Sequence, residues 1–169
     1  MYTTVRGTDT NVGTRALKDI IEDAKVLFQG SPSNSDDVKD TLLKVANAYP
    51  GYDLNTLGFS LGGSYITEVF TGQDEADKRV LDRYDSIVLV NPGGSPFGDT
   101  DKIENILGQE RTTLLTNRSD IISSIYSQYS DKDRTYYGPH SYNPLEAHSP
   151  EQFGSSPPEF AEAGINIDL

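Results

Sequence analysis

The hydrophobic positions of this chain follow two periods, one of strands and one of helices. Tyr2, Thr3, Thr4 and Val5 form a β-favouring run, so residues 2–6 read as a short strand, with a loop at residues 7–11. Leu17, Ile20, Ile21, Ala24 and Phe28 then recur at helical spacing and predict a helix over residues 14–28. Gly30, Pro32 and Asn34 break it. Ser35-Asp36-Asp37 supply polar groups suited to a helix N-terminus, and Val38, Leu42, Val45, Ala46 and Tyr49 line the apolar face of the next helix. After Pro50-Gly51, residues 53–59 read as a strand, 61–70 as a helix and 75–84 as a charged helix. Ser86-Ile87-Val88-Leu89-Val90 is the strongest strand, apolar without alternation, as in a strand buried on both faces. Residues 112–115 predict a weaker strand and 121–129 a short helix. From Ser130 the chain is turn-rich and Tyr-rich, and residues 154–169 are expected to be a loosely ordered tail.

Strands alternating with helices predict an α/β fold of three layers around a mostly parallel sheet, with right-handed crossovers. The 169 residues suit one domain, here residues 1–153, with no internal repeat. Composition narrows the function. The net charge of −12 comes with no clustered Lys/Arg footprint, which argues against a nucleic-acid partner and against an anionic membrane surface. The absence of cysteine excludes disulfides, thiolate zinc sites and cysteine nucleophiles. No apolar signal region follows Met1 and no run of about 18 apolar residues occurs, so a soluble protein is expected, its compartment and oligomeric state unspecified.

The chemistry concentrates in Gly58-Phe59-Ser60-Leu61-Gly62, which fits the G-x-S-x-G nucleophile elbow. That spacing puts a serine on a tight strand-to-helix turn, flanked by glycines that let neighbouring backbone pass without a Cβ clash. The helix that follows aims its N-terminus at the site of a developing oxyanion. Chance produces the bare pattern in roughly one chain of this length in twenty, so the context carries the weight. Here a strand precedes the motif, a helix follows it, and Gly63 extends it. The competing reading is a glycine-lined packing turn with an inert serine.

These residues resemble the class 3 (fungal-type) lipase family of the α/β-hydrolase superfamily. Val5-Arg6-Gly7-Thr8 is similar to the family's F-R-G-T strand end, and Asp19-Ile20-Ile21-Glu22-Asp23 to its D-W-x-x-D helix. Tyr49-Pro50-Gly51-Tyr52 through Gly58-Phe59-Ser60-Leu61-Gly62-Gly63 resembles its Y-P-x-Y…G-H-S-L-G-G elbow. Thr116-Asn117-Arg118-Ser119-Asp120 resembles the loop that supplies its catalytic aspartate. The likeness runs from about residue 5 to residue 153, with Phe59 in place of the family's usual histidine and Ile20 in place of its tryptophan. The family has further strands before R-G-T, so the resemblance implies a sheet reduced at the N-terminus or completed by a partner.

A serine hydroxyl needs a base, and His140 and His148 are the two histidines of the chain. Both follow Asp120, in keeping with the serine–acid–histidine order of α/β-hydrolases. In the family a serine follows the catalytic histidine and an aromatic comes about five residues on; His148-Ser149 with Phe153 matches this better than His140-Ser141-Tyr142. The resemblance thus implies Ser60 as nucleophile, His148 as base with His140 as alternative, and Asp120 as the acid that orients the base. Asp120 also reads as a helix N-cap, and Asp131 and Asp133 compete for its role. The oxyanion donors would be the Leu61 N–H and, from the R-G-T match, Thr8.

No cofactor or metal is called for. The substrate expected is a small-molecule carboxylic ester or lipid. The segment that forms a lid in the resembling lipases corresponds to residues 9–17, short and mostly polar here, which predicts short soluble esters. Amide hydrolysis and acyl transfer are rivals on the same core, and a non-catalytic structural or interaction module is the alternative function.

Overall fold

A computed structural model of the chain describes residues 1–5, 33–72, 75–93, 100–129, 134–138 and 141–149. In chain order these form β1 (Tyr2–Val5), α1 (Ser33–Ala48), β2 (Leu54–Phe59), α2 (Leu61–Thr71), α3 (Glu75–Leu81) and β3 (Tyr84–Val90). Then come α4 (Thr100–Leu107), β4 (Thr112–Thr116), α5 (Ser124–Gln128), β5 (Thr135–Tyr137) and α6 (Pro144–His148). The helix expected over residues 14–28 and the tail expected at 154–169 lie outside the described residues. So do Thr8, His140, Asp131, Asp133 and Phe153.

The described residues form an α/β fold with an all-parallel five-stranded sheet, its strands in the order β1-β2-β3-β4-β5. Spatial order equals chain order, so each crossover advances one strand in the same direction. Crossovers of one hand then deliver their helices to one face of the sheet. The core reflects this. Leu42 and Ala46 of α1, Ile66, Val69 and Phe70 of α2, Ile103 and Ile106 of α4, and Ile125 and Tyr126 of α5 share a single cluster. Sheet residues Leu54, Tyr84, Ile87, Leu89 and Leu114 join it, with Leu81 and Leu107. The opposite face carries a smaller cluster of Phe59, Val88, Val90 and Leu115. Of the three layers expected, the described residues show the sheet, one full helical layer and, on the opposite face beside Phe59, only the short α6.

β3 is apolar throughout because its side chains serve both clusters alternately: Ile87 and Leu89 face one, Val88 and Val90 the other. Each such side chain, fully buried, stabilises the fold by roughly 1.5–3 kcal/mol. The charged helix anticipated at 75–84 is shorter, because Tyr84 belongs to the sheet. It is buried, its hydroxyl donates to Leu42 O at 3.0 Å, and burial raises its phenol above the ordinary value. Three elements had not been anticipated: α4, β5 and the short α6. α4 shows Ile103, Ile106 and Leu107 at helical spacing and was within reach of the pattern. β5, three residues inside the Tyr-rich stretch, was not. No helix among the described residues is long and apolar enough to cross a membrane.

Candidate active site

In a parallel sheet the carboxyl ends of the strands share one edge, and functional groups gather in the loops beyond it. Here β2 runs into Ser60, β3 into Asn91, β4 into the loop of Asp120, and β5 is followed by α6 with His148. Ser60 stands between the last residue of β2 and the first of α2, with φ 53° and ψ −124°. A side-chain-bearing residue with φ in this range is strained and persists only where its surroundings impose it. Three backbone bonds do so. Ser60 N–H donates to Val90 O at 3.0 Å, and Ser60 O accepts from Gly63 N–H at 2.9 Å and from Gly93 N–H at 2.8 Å.

The flanking glycines are a steric requirement. A Cβ on Gly58 would lie 2.7 Å from Gly63 Cα and 2.8 Å from Gly62 O, so the strand and the returning helix could not approach as they do. A Cβ on Gly63 would lie 2.8 Å from Pro92 Cβ. Leu61 contributes the first N–H of α2, at the turn where helical N–H groups lack intrahelical acceptors and the helix dipole is positive.

The structure brings Ser60, His148 and Asp120 into one hydrogen-bonded line. Ser60 Oγ lies 2.8 Å from His148 Nε2, and His148 Nδ1 lies 2.7 Å from Asp120 Oδ2. All three are buried, with 6%, 1% and 1% of their surface exposed. An ionised carboxylate only accepts, so Nδ1 carries the ring proton and Nε2 is left to accept from Ser60. Phe59, which replaces the histidine of the resembling motif, packs beside the His148 ring with centroids 5.5 Å apart.

Asp120 is held by more than His148. Its Oδ1 accepts from Ile122 N–H at 2.9 Å and its Oδ2 from Ser123 Oγ at 2.7 Å. This turn occupies residues 121–123, so α5 begins only at Ser124 and the short helix expected from residue 121 is trimmed at its start. Asp120 thus nucleates a turn rather than capping α5, whose N-cap is Ser123. Since the Ser123 proton points to Asp120, Ser123 accepts from Thr116 Oγ1 at 2.8 Å, and Thr116 accepts from Ser127 Oγ at 3.3 Å. The sequence assigned no role to Ser123, Thr116 or Asn91; the partners of Asn91 in particular are ones that only the fold supplies.

Among the described residues no group of three His, Asp or Glu stands close enough to hold a metal ion. A cavity of about 610 Å³ lined by Phe70, Lys78, Asp82 and Arg111 opens at the amino ends of β3 and β4 and shares no residue with the Ser60 site. Compared with protein-family models, curated proteins and solved structures, the chain matches none.

Proposed function

We propose that this protein is a serine hydrolase of the α/β-hydrolase type, lipase- or esterase-like, that cleaves carboxylic esters through an acyl-Ser60 intermediate. The observation that carries the reading is the buried Ser60–His148–Asp120 line, at 2.8 and 2.7 Å, ending on a serine with φ 53°. A packing turn needs neither a histidine aimed at the serine nor a carboxylate behind that histidine. The resemblance of the elbow and the Asp120 loop to class 3 lipases points the same way.

In the proposed reaction His148 Nε2 takes the Ser60 hydroxyl proton as Oγ bonds to the ester carbon, and the carbonyl electron pair moves onto its oxygen. The Leu61 N–H stabilises that oxyanion, with Thr8 as the second donor implied by the resemblance. Collapse breaks the bond to the leaving oxygen, which takes the proton from His148 and departs as alcohol. Water then gives His148 a proton and adds to the acyl carbon. Collapse breaks the bond to Oγ, the proton returns to Ser60, and a carboxylic acid leaves. Asp120 stabilises the imidazolium in both halves without taking its proton.

The test is an activity-based one. A fluorophosphonate should add one phosphonyl group, located at Ser60 by peptide mass spectrometry. Ser60→Ala should give no adduct and no ester turnover while remaining folded. A folded wild-type protein that takes up no probe would overturn the enzymatic reading and favour a non-catalytic module.

A further inference from the structure

We propose that Asn91 is a positioning residue that holds the base and the acid of the site in register. This rests on the hydrolase reading above for its functional consequence, but its geometry stands apart from it. Asn91 follows the last residue of β3, is fully buried, and adopts φ 38°, a conformation asparagine tolerates better than most residues. Three of its polar groups reach three different segments. Its N–H donates to Leu115 O of β4 at 2.8 Å, its Nδ2 donates to Ala147 O in α6 at 3.0 Å, and its Oδ1 accepts from Asn117 N–H at 3.0 Å.

The placement of those two side-chain bonds is what matters. Ala147 immediately precedes His148, and Asn117 starts the turn in which Asp120 N–H donates to Asn117 O at 2.9 Å. One amide therefore ties the peptide beside the base to the loop that carries the acid. The base helix α6 spans only Pro144–His148, too short to hold its own direction. Asn91 is the residue of the central strand end that bonds it, next to Pro92, which packs against Gly63 of the serine turn. Buried amide bonds of this kind have fixed geometry, and a reacting group displaced by about 1 Å can lose a hundredfold in rate.

The test uses Asn91→Gly, which keeps the positive φ and removes both side-chain bonds. Asn91→Asp serves as a second variant, isosteric and retaining the acceptor for Asn117 while losing the donor to Ala147. Ile106→Val in the main core controls for a plain loss of stability. Three quantities are read: kcat and KM per fluorophosphonate-titrated site with a soluble nitrophenyl ester, thermal unfolding, and the downfield proton resonance of His148 Nδ1–H. The expected result is a fall in kcat of about a hundredfold for Asn91→Gly with KM within about threefold, and a shifted or lost ring-proton resonance. Asn91→Asp should lie between it and wild type, and Ile106→Val should lose some thermal stability at unchanged kcat. If kcat per site and the resonance both stay at wild-type values while Tm falls, Asn91 is merely structural and the proposal is overturned. If wild type takes no fluorophosphonate but its ring-proton resonance is present and is lost in both Asn91 variants, the hydrolase reading fails and the positioning role stands.

Discussion

Replacing Asp120 by asparagine asks the most of the site, because the change is isosteric and acts through hydrogen-bond direction. The carboxylate accepts three protons in the native structure: from Ile122 N–H, Ser123 Oγ–H and His148 Nδ1–H. An amide has one oxygen. If that oxygen stays on Ile122, the NH₂ group faces Ser123 and His148, and both must become acceptors. Ser123 can do so, since its bond to Thr116 and the bond from Thr116 to Ser127 can each run in either direction. His148 can do so only by moving its ring proton to Nε2, where it faces Ser60 and can no longer take the serine proton. If the amide flips, the histidine is correct but its NH₂ confronts Ile122 N–H, leaving a buried donor unmatched at about 1–3 kcal/mol. The inactive arrangement therefore dominates, and the charge that stabilises the imidazolium is gone in either case. The expected loss in kcat is about 10³–10⁴-fold, or about 4–5.5 kcal/mol of barrier. KM should change little, because Asp120 is buried behind His148. Global stability should fall by no more than about 1 kcal/mol, since every bond can be remade. Steady-state kinetics on a soluble nitrophenyl ester, with chemical denaturation in parallel, reads all of this. A kcat within tenfold of wild type would mean that the Asp120–His148 bond does not set the tautomer.

Three other outcomes are expected. Ser60→Gly should be more stable than Ser60→Ala by about 1–2 kcal/mol by thermal or urea unfolding, because both lose the hydroxyl but only glycine relieves φ 53°; equal stabilities would show that the turn is unstrained. Burial pushes the Tyr126 phenol from its ordinary 10.0 up to about 12, so its contribution is complete below pH 10 and lost as pH rises towards 12. The loss is about 2–3 kcal/mol, and denaturation curves of Tyr126→Phe should lack this alkaline decline; an identical decline in both proteins would assign it elsewhere. Nitrophenyl esters of rising chain length should be hydrolysed best when short, with no jump in rate at an emulsion interface, because a long chain gains about 0.8 kcal/mol per CH₂ only against an apolar wall. Rates that climb with chain length and leap at the interface would show that residues 9–17 do not limit the site.

The division between sequence and tertiary structure follows the range of the interactions. Elements whose signal is local were legible. The apolar run of β3, the periodic face of α1 and the strand–serine–helix turn each lie within a few residues, where side-chain period and glycine placement act directly. The boundaries that shifted did so through side-chain contacts, one across the fold and one within a turn. Tyr84 joined the sheet to reach Leu42, and α5 lost its first turn to the side chain of Asp120. The site divides in the same way. Ser60 announces itself by its neighbours, but His148 stands 88 residues from it and was favoured only through a resemblance. Asn91 precedes Pro92-Gly93 and reads in the chain as an ordinary turn asparagine. Its side chain spans β3, the Asp120 loop and α6 because the parallel order brings those strand ends to one edge. Hydrogen-bond partners so distant in sequence leave no periodicity to detect; they exist only once the sheet has set the register of its ends.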